Sequence, residues 1–153
     1  MRVSFLDGYL GGITSLSGGI RQYLACAFIT EHKDRDVVAG VADFYAPNFQ
    51  LQYSTAELLV GGLKELEKAI QFYLIQNLLG EHAQFESKKV EERKQYLAFK
   101  VMDLIDDVLD CDHKNSEVFK FTGYSSNVCY TFFCIVYGDK ILNLQFNENY
   151  KIQ

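Results

Sequence analysis

The stretch VCYTFFCIVYGDKILNLQF, which runs from residue 128 to residue 146, decides the fold class. Apolar residues alternate with others over positions 128–136 and again over positions 142–146, which is the two-residue period of a half-buried β-strand. Gly138 and Asp139 lie between the two halves and are typical of a tight turn. The stretch therefore predicts a β-hairpin. Just upstream, the apolar residues from Val118 to Phe121 predict a further strand.

An amphipathic helix is predicted in the middle of the chain. Ser54 and Glu57 have the spacing of a capping box, which marks the beginning of many helices. Apolar residues then recur at helical spacing at Leu59, Leu63, Leu66, Ile70 and Leu74. Gly61 and Gly62 would together cost a helix about 2 kcal/mol relative to alanine. We expect the helix to end near Gly80, and to begin at Leu63 unless the two glycines allow close approach to another element.

A second helix is predicted from about Val90 to Asp110. Its apolar side chains share one side at helical spacing, namely Leu97, Val101, Leu104, Ile105 and Val108. The polar residues from Asp112 to Ser116 that follow predict a turn.

The first third of the chain gives weaker signals. Residues 3–10 alternate loosely and are expected to form a strand. Residues 8–19 hold five of the 11 glycines and are expected to be a loop, because clustered glycines are costly in regular structure. Residues 20–30 predict a strand or a buried helix. Residues 37–45 predict a strand, and residues 49–53 a short one.

Strands followed by two helices and then by strands indicate an α+β fold. We expect an antiparallel sheet with a C-terminal β-hairpin, packed against two main helices. A chain of 153 residues without a Pro-rich or Ser-rich linker is expected to be a single α+β domain spanning residues 1–153.

The composition excludes several function classes. The net charge is −5, and the five aspartates between Asp103 and Asp112 account for all of the acidic excess. An acidic chain without a basic patch is not expected to bind nucleic acid. No apolar run is long enough to predict a membrane span. The four cysteines form no C-x-x-C pair and are expected to be reduced thiols, which indicates the cytoplasm.

The most unusual surface is predicted on the second helix. Spacing of i, i+3, i+4 and i+7 brings four aspartates to one side of a helix, namely Asp103, Asp106, Asp107 and Asp110. Tyr96 and Phe99 fall on the same side one turn earlier. We call these six residues the acidic-aromatic face. Repulsion among its carboxylates costs about 1 to 2 kcal/mol before salt screening. A face that accepts this cost suggests a positively charged partner.

Two alternatives for the face remain open. It can be a solvated surface that cations of the same chain neutralise, either Lys88, Lys89, Arg93 and Lys94 or those of a distant loop. It can also hold a metal ion or another ligand, although the EF-hand spacing is absent. No cofactor is expected, because no motif for one occurs. No catalytic residue is assigned either, and Cys111 and His113 are expected to be exposed turn residues.

The first functional hypothesis is a non-enzymatic acidic protein that neutralises a basic protein partner. In size, acidity and lack of catalytic motifs the chain resembles the small bacterial immunity proteins. That resemblance implies a toxin as the partner, possibly a nuclease, and a bacterial cytoplasmic location. All six residues of the acidic-aromatic face are then the expected partner contacts. The alternative is a small α+β enzyme or ligand-binding domain with a pocket between the sheet and the helices.

Overall fold

The computed structural model describes residues 2–14, 21–31, 53–74, 87–109, 116–125 and 128–150. Within these ranges the chain forms three helices and five strands. In chain order they are α1 (Arg2–Thr14), β1 (Arg21–Glu31), β2 (Tyr53–Leu58), α2 (Leu63–Leu74), α3 (Ser87–Leu109), β3 (Val118–Ser125), β4 (Val128–Tyr137) and β5 (Lys140–Tyr150).

The five strands form one antiparallel sheet in the order β1-β5-β4-β3-β2. The predicted hairpin lies near its centre, where Phe133 pairs with Leu144 and Tyr137 with Lys140. Gly138 and Asp139 form the turn, and Gly138 adopts a φ of 61°, a conformation that glycine reaches without strain. The predicted α+β fold, with its C-terminal hairpin and antiparallel sheet against helices, is confirmed.

The main core lies between one face of the sheet and the three helices. The sheet contributes Phe133 and Leu144, α2 contributes Leu66, and α3 contributes Val101 and Ile105, all fully buried. The rings of Phe133 and Phe146 meet edge-on at 6.0 Å between their centroids. Fully burying one such side chain stabilises the fold by about 1.5 to 3 kcal/mol. This shared core fixes which sides of α2 and α3 remain outside.

The opposite face of the sheet carries a second buried cluster. Its members include Phe121, Phe132 and Ile141. Asn143 is buried on this face, and its Nδ2 donates to the Phe28 carbonyl at 3.3 Å and to the Thr30 hydroxyl at 3.0 Å. These bonds offset the cost of burying a side-chain amide, so the polar residue is compatible with a packed face.

The N-terminal segment differs from the prediction. Residues 3–10 are not a strand and Gly8, Gly11 and Gly12 are not in a loop, because Arg2–Thr14 is the helix α1. Leu6, Leu10 and Ile13 are buried at spacings of four and three residues, which is the helical period. The three glycines are exposed, and a Cβ added at any of them would meet nothing within 4 Å. Burial of the apolar stripe therefore outweighs the helix cost of glycine, about 1 kcal/mol each.

The capping-box prediction at Ser54 and Glu57 is also wrong. Both residues belong to β2, where Glu57 pairs with Lys120 of β3. Pairing along an existing sheet overrides a local helix signal. The helix begins at Leu63, after Gly61 and Gly62 with φ values of 99° and 60°. The expectation that the glycines precede the helix is confirmed, and their role is the sharp turn from β2 into α2.

The remaining predictions have mixed outcomes. Within the predicted segment of residues 20–30, residues 21–30 belong to the strand β1 (Arg21–Glu31), which decides between strand and buried helix. The predicted second helix is confirmed as α3 and starts three residues earlier than expected, at Ser87. The predicted strand over residues 37–45, most of the strand over 49–53, the helix end near Gly80 and most of the turn from Asp112 to Ser116 lie outside the described residues.

Candidate protein-binding face

The acidic-aromatic face lies on the outer side of α3. The helix buries Ala98, Val101 and Ile105 against the core. Five of the six residues of the face fall within α3 and are exposed, namely Tyr96, Phe99, Asp103, Asp106 and Asp107. Asp110 lies outside the described residues. The helical period therefore separates a buried stripe from an outer side on which rings and carboxylates follow one another.

The two aromatic rings are unusually open to solvent. Tyr96 is 66% exposed and Phe99 is 63% exposed. Keeping apolar surface in water forgoes about 25 cal/mol for every Å² that packing would cover. Single exposed apolar residues are common on protein surfaces, whereas two rings one turn apart form a patch. Glu92 is also exposed, four residues before Tyr96, and extends the negative surface towards the start of α3.

Two cations of the described residues contact this side of α3. Lys100 Nζ lies 3.7 Å from Asp103 Oδ2, and both side chains are about half exposed. An exposed pair at this distance stabilises by about 0 to 1 kcal/mol. Arg2 Nη1 donates to the backbone oxygen of Asp107 at 3.1 Å, so this contact anchors the end of α3 to α1 and brings a guanidinium charge to the last turn of the helix.

The other candidate cations belong to the first part of α3. The side chains of Lys88, Lys89, Arg93 and Lys94 lie outside the described residues. Lys94 is nine residues from Asp103, about 13.5 Å along a straight helix, so it is not a neighbour at i+3 or i+4.

An open groove runs beside the face, between α2 and α3. Its volume is about 370 Å³, and it is lined by Leu63, Lys64, Glu67, Phe99, Met102, Asp103 and Asp106. We call it the α2–α3 groove. Three members of the acidic-aromatic face therefore form one wall, and α2 supplies the other. The groove separates two helices, whereas the alternative hypothesis expected a pocket between the sheet and the helices.

Sequence reasoning did not find the α2 wall. Lys64 falls on the polar side of α2 by its helical spacing from Leu63 and Leu66, but nothing in the sequence says that this side meets Asp103 and Asp106. Met102 was missed because it lies between the buried stripe and the acidic residues. The relative placement of two helices depends on the shared core, which no local pattern encodes.

Other chemistry has little support in the described part of the chain. No group of three or more His, Cys, Asp or Glu residues there has the arrangement of a metal site. Burial, and secondarily the carboxylate of Asp7, raise the pKa of Cys26 to about 11. A thiol with that pKa is protonated at neutral pH and is a poor nucleophile. Cys111 and His113 lie outside the described residues.

None of the described helices is long and apolar enough to cross a membrane.

The fold is similar to that of citrus MAF1 in two crystal structures. The structure in space group P 31 2 1 matches with a TM-score of 0.53 and 10% sequence identity, over 99% of this chain and 100% of that chain. The structure in space group C 2 2 21 gives a TM-score of 0.50 at 10% identity, over 94% and 99% of the two chains. At this identity the similarity shows a common fold and says nothing about activity. No protein-family model matches the chain. No curated protein matches it either.

Proposed function

We propose that this chain is a non-enzymatic binding protein whose acidic-aromatic face docks onto a basic protein partner. One observation supports the proposal above all: two exposed rings and three exposed carboxylates lie on the same outer side of α3. Interfaces commonly combine aromatic anchors with charges that select the partner.

The energetics of the unbound protein favour a role in binding. Asp103 repels Asp106 and Asp107 at spacings of three and four residues, at about 0.2 to 0.5 kcal/mol for each pair. Asp106 and Asp107 also lie in the last turn of α3, where the helix dipole favours cations. Arginine or lysine side chains of a partner would relieve both terms. Covering Tyr96 and Phe99 would add hydrophobic stabilisation to the complex.

The two kinds of residue have different tasks in this proposal. The carboxylates attract a basic surface from a distance and raise the association rate, an effect that weakens as salt shortens the screening length. The rings supply contact area that slows dissociation. The partner is a basic protein, most specifically a bacterial toxin that this chain neutralises in the cytoplasm. A nuclease fits that role, because its substrate-binding surface is positive.

The proposal is tested by affinity capture from the native cells with two matched variants. The first carries Asp103→Asn, Asp106→Asn and Asp107→Asn. The control carries Glu31→Gln, Glu57→Gln and Asp139→Asn, which are exposed on the sheet strands and their turn and change the net charge equally.

We expect one basic protein to be retained by the wild type and by the control and to be lost with the α3 variant. The purified partner should then bind the wild type at a one-to-one ratio, and the chain should block the partner's activity. Equal retention by all three proteins, or a partner without a basic surface, would refute the proposal.

A further inference from the structure

We propose that the α2–α3 groove holds one amphipathic helix of the basic partner; this inference rests on the proposed function and specifies how the partner docks. The groove combines three apolar and four charged side chains in the lining of one cavity of about 370 Å³. The acidic-aromatic face alone is a convex strip along a single helix. The α2 wall turns part of that strip into a concave site, and concave sites are where anchoring side chains become desolvated.

The lining defines the chemistry of the occupant. Leu63, Met102 and Phe99 provide apolar surface, and methionine adapts readily to the shape of a ligand. The charged members are Lys64 and Glu67 from α2 and Asp103 and Asp106 from α3, which give the lining a formal charge of −2. A fitting segment therefore presents apolar side chains to Leu63, Met102 and Phe99 and lysine or arginine to the carboxylates.

The apolar lining is additional to the core between the two helices. Leu66, Ile70 and Ile105 are fully buried members of the main core and are not part of the lining. Leu63 and Met102 are only half-buried, and Phe99 is mostly exposed. An occupant would cover this surface without any rearrangement of the core.

The shape favours a helix over a small molecule or an extended peptide. Small-molecule sites enclose about 70 to 90% of their ligand, whereas this groove is open along its outer side. An extended peptide binds by pairing its backbone with a sheet edge. Both walls are helices whose backbone groups bond mainly within the helix, so they present no such edge. A helix satisfies its own backbone groups and needs only side-chain contacts, as in other helix-in-groove complexes.

The test uses the full chain and a labelled synthetic peptide of about 18 residues, long enough to sustain a helix. The peptide has leucines on one face and lysines on the other. A second peptide of the same length has two central leucines replaced by proline, which breaks the helix. Fluorescence anisotropy gives the dissociation constants at low salt, and thermal melts show that each protein variant is folded.

Neighbouring aspartates supply the matched control. Asp106 lines the groove, whereas Asp107 is exposed on the same helix outside its lining. We expect Asp106→Asn to weaken peptide binding about three-fold and Asp107→Asn to change it by less than about 1.5-fold. Phe99→Ala should weaken it at least about ten-fold, whereas Tyr96→Ala should have little effect. Lys64→Glu should tighten binding about three-fold, and the proline peptide should bind at least about ten-fold more weakly.

Other outcomes would refute docking in the α2–α3 groove without refuting the proposed function. If the helical peptide does not bind, if the proline peptide binds as tightly, or if Asp106→Asn and Asp107→Asn have equal effects, the groove is not the docking site. A native partner that is lost with Asp107→Asn and Tyr96→Ala and kept with Phe99→Ala would place binding elsewhere on the acidic-aromatic face. Only a native partner insensitive to all of these changes would refute the proposed function as well.

Discussion

Removal of the α3 carboxylates should stabilise the unbound protein. The variant Asp103→Asn, Asp106→Asn, Asp107→Asn relieves two like-charge pairs within the described helix, which together cost about 0.4 to 1 kcal/mol. It also removes two negative charges from the last turn of α3, at about 0.3 to 1 kcal/mol each. One opposing loss is the Lys100–Asp103 contact at 3.7 Å, about 0.2 to 0.5 kcal/mol. Asparagine and aspartate have similar helix propensities, so propensity contributes little.

The net expectation is a gain of about 1 to 2 kcal/mol in the free energy of unfolding at pH 7. For a chain of 153 residues this raises Tm by about 3 to 6 °C. Thermal unfolding followed by circular dichroism at low salt measures the shift. In about 1 M salt, where the screening length is about 3 Å, most of the gain should disappear.

The control variant Glu31→Gln, Glu57→Gln, Asp139→Asn should not be stabilised in the same way. Glu31 and Glu57 lie opposite Lys140 and Lys120 in the strand register, so their removal relieves no like-charge repulsion. If the α3 variant is unchanged or less stable than the wild type, its carboxylates are already neutralised within the chain. That result would refute the physical reasoning behind the docking surface.

Three further predictions concern the fold. Gly8→Ala should raise the free energy of unfolding by about 0.5 to 1 kcal/mol in chemical denaturation, because Gly8 is exposed in a helix with open space around it. Gly61→Ala should lower the free energy of unfolding, because the φ of Gly61 is 99° and an added Cβ would lie 2.6 Å from Glu65 Cγ. Asp7→Ala should cost about 1 to 2 kcal/mol, since Asp7 Oδ1 accepts the Ala27 N–H at 2.9 Å, and Asp7→Asn should restore part of the loss if its amide oxygen takes the same place. The pKa of Cys26 is raised from 9.0 to about 11, so the thiol ionises at lower pH in the unfolded chain than in the folded protein. Its contribution to stability is present below pH 9 and is lost between pH 9 and 11. Over that range Cys26→Ala should therefore lose less stability than the wild type does.

The parts of the fold that the sequence predicts well are those in which local pattern and global packing agree. The alternation along β4 and β5 predicts the hairpin because the same residues that favour strands also fill both faces of a central sheet. The position of α3 follows in the same way from the burial of Val101, Ile105 and Val108 at helical spacing. The exposure of Asp103, Asp106 and Asp107 follows from that stripe.

The failures arise where tertiary packing overrides local preference. Three glycines argue against a helix at α1, but Leu6 and Leu10 gain enough burial to hold one. The capping-box spacing at Ser54 and Glu57 argues for a helix, but β3 offers a strand edge that pairs with the segment. The α2–α3 groove depends on the angle and distance between two helices, and these are set by contacts remote in sequence.

The dissociation constant of the purified native partner, measured by calorimetry at low and high salt, tests the docking of the acidic-aromatic face most directly. Relative to the wild type, replacing Asp103, Asp106 and Asp107 by asparagine should raise that constant at least about ten-fold at low salt. The difference should shrink as salt increases, and the charge-matched strand variant should bind like the wild type. Equal affinities for all three proteins at both salt concentrations would contradict the account.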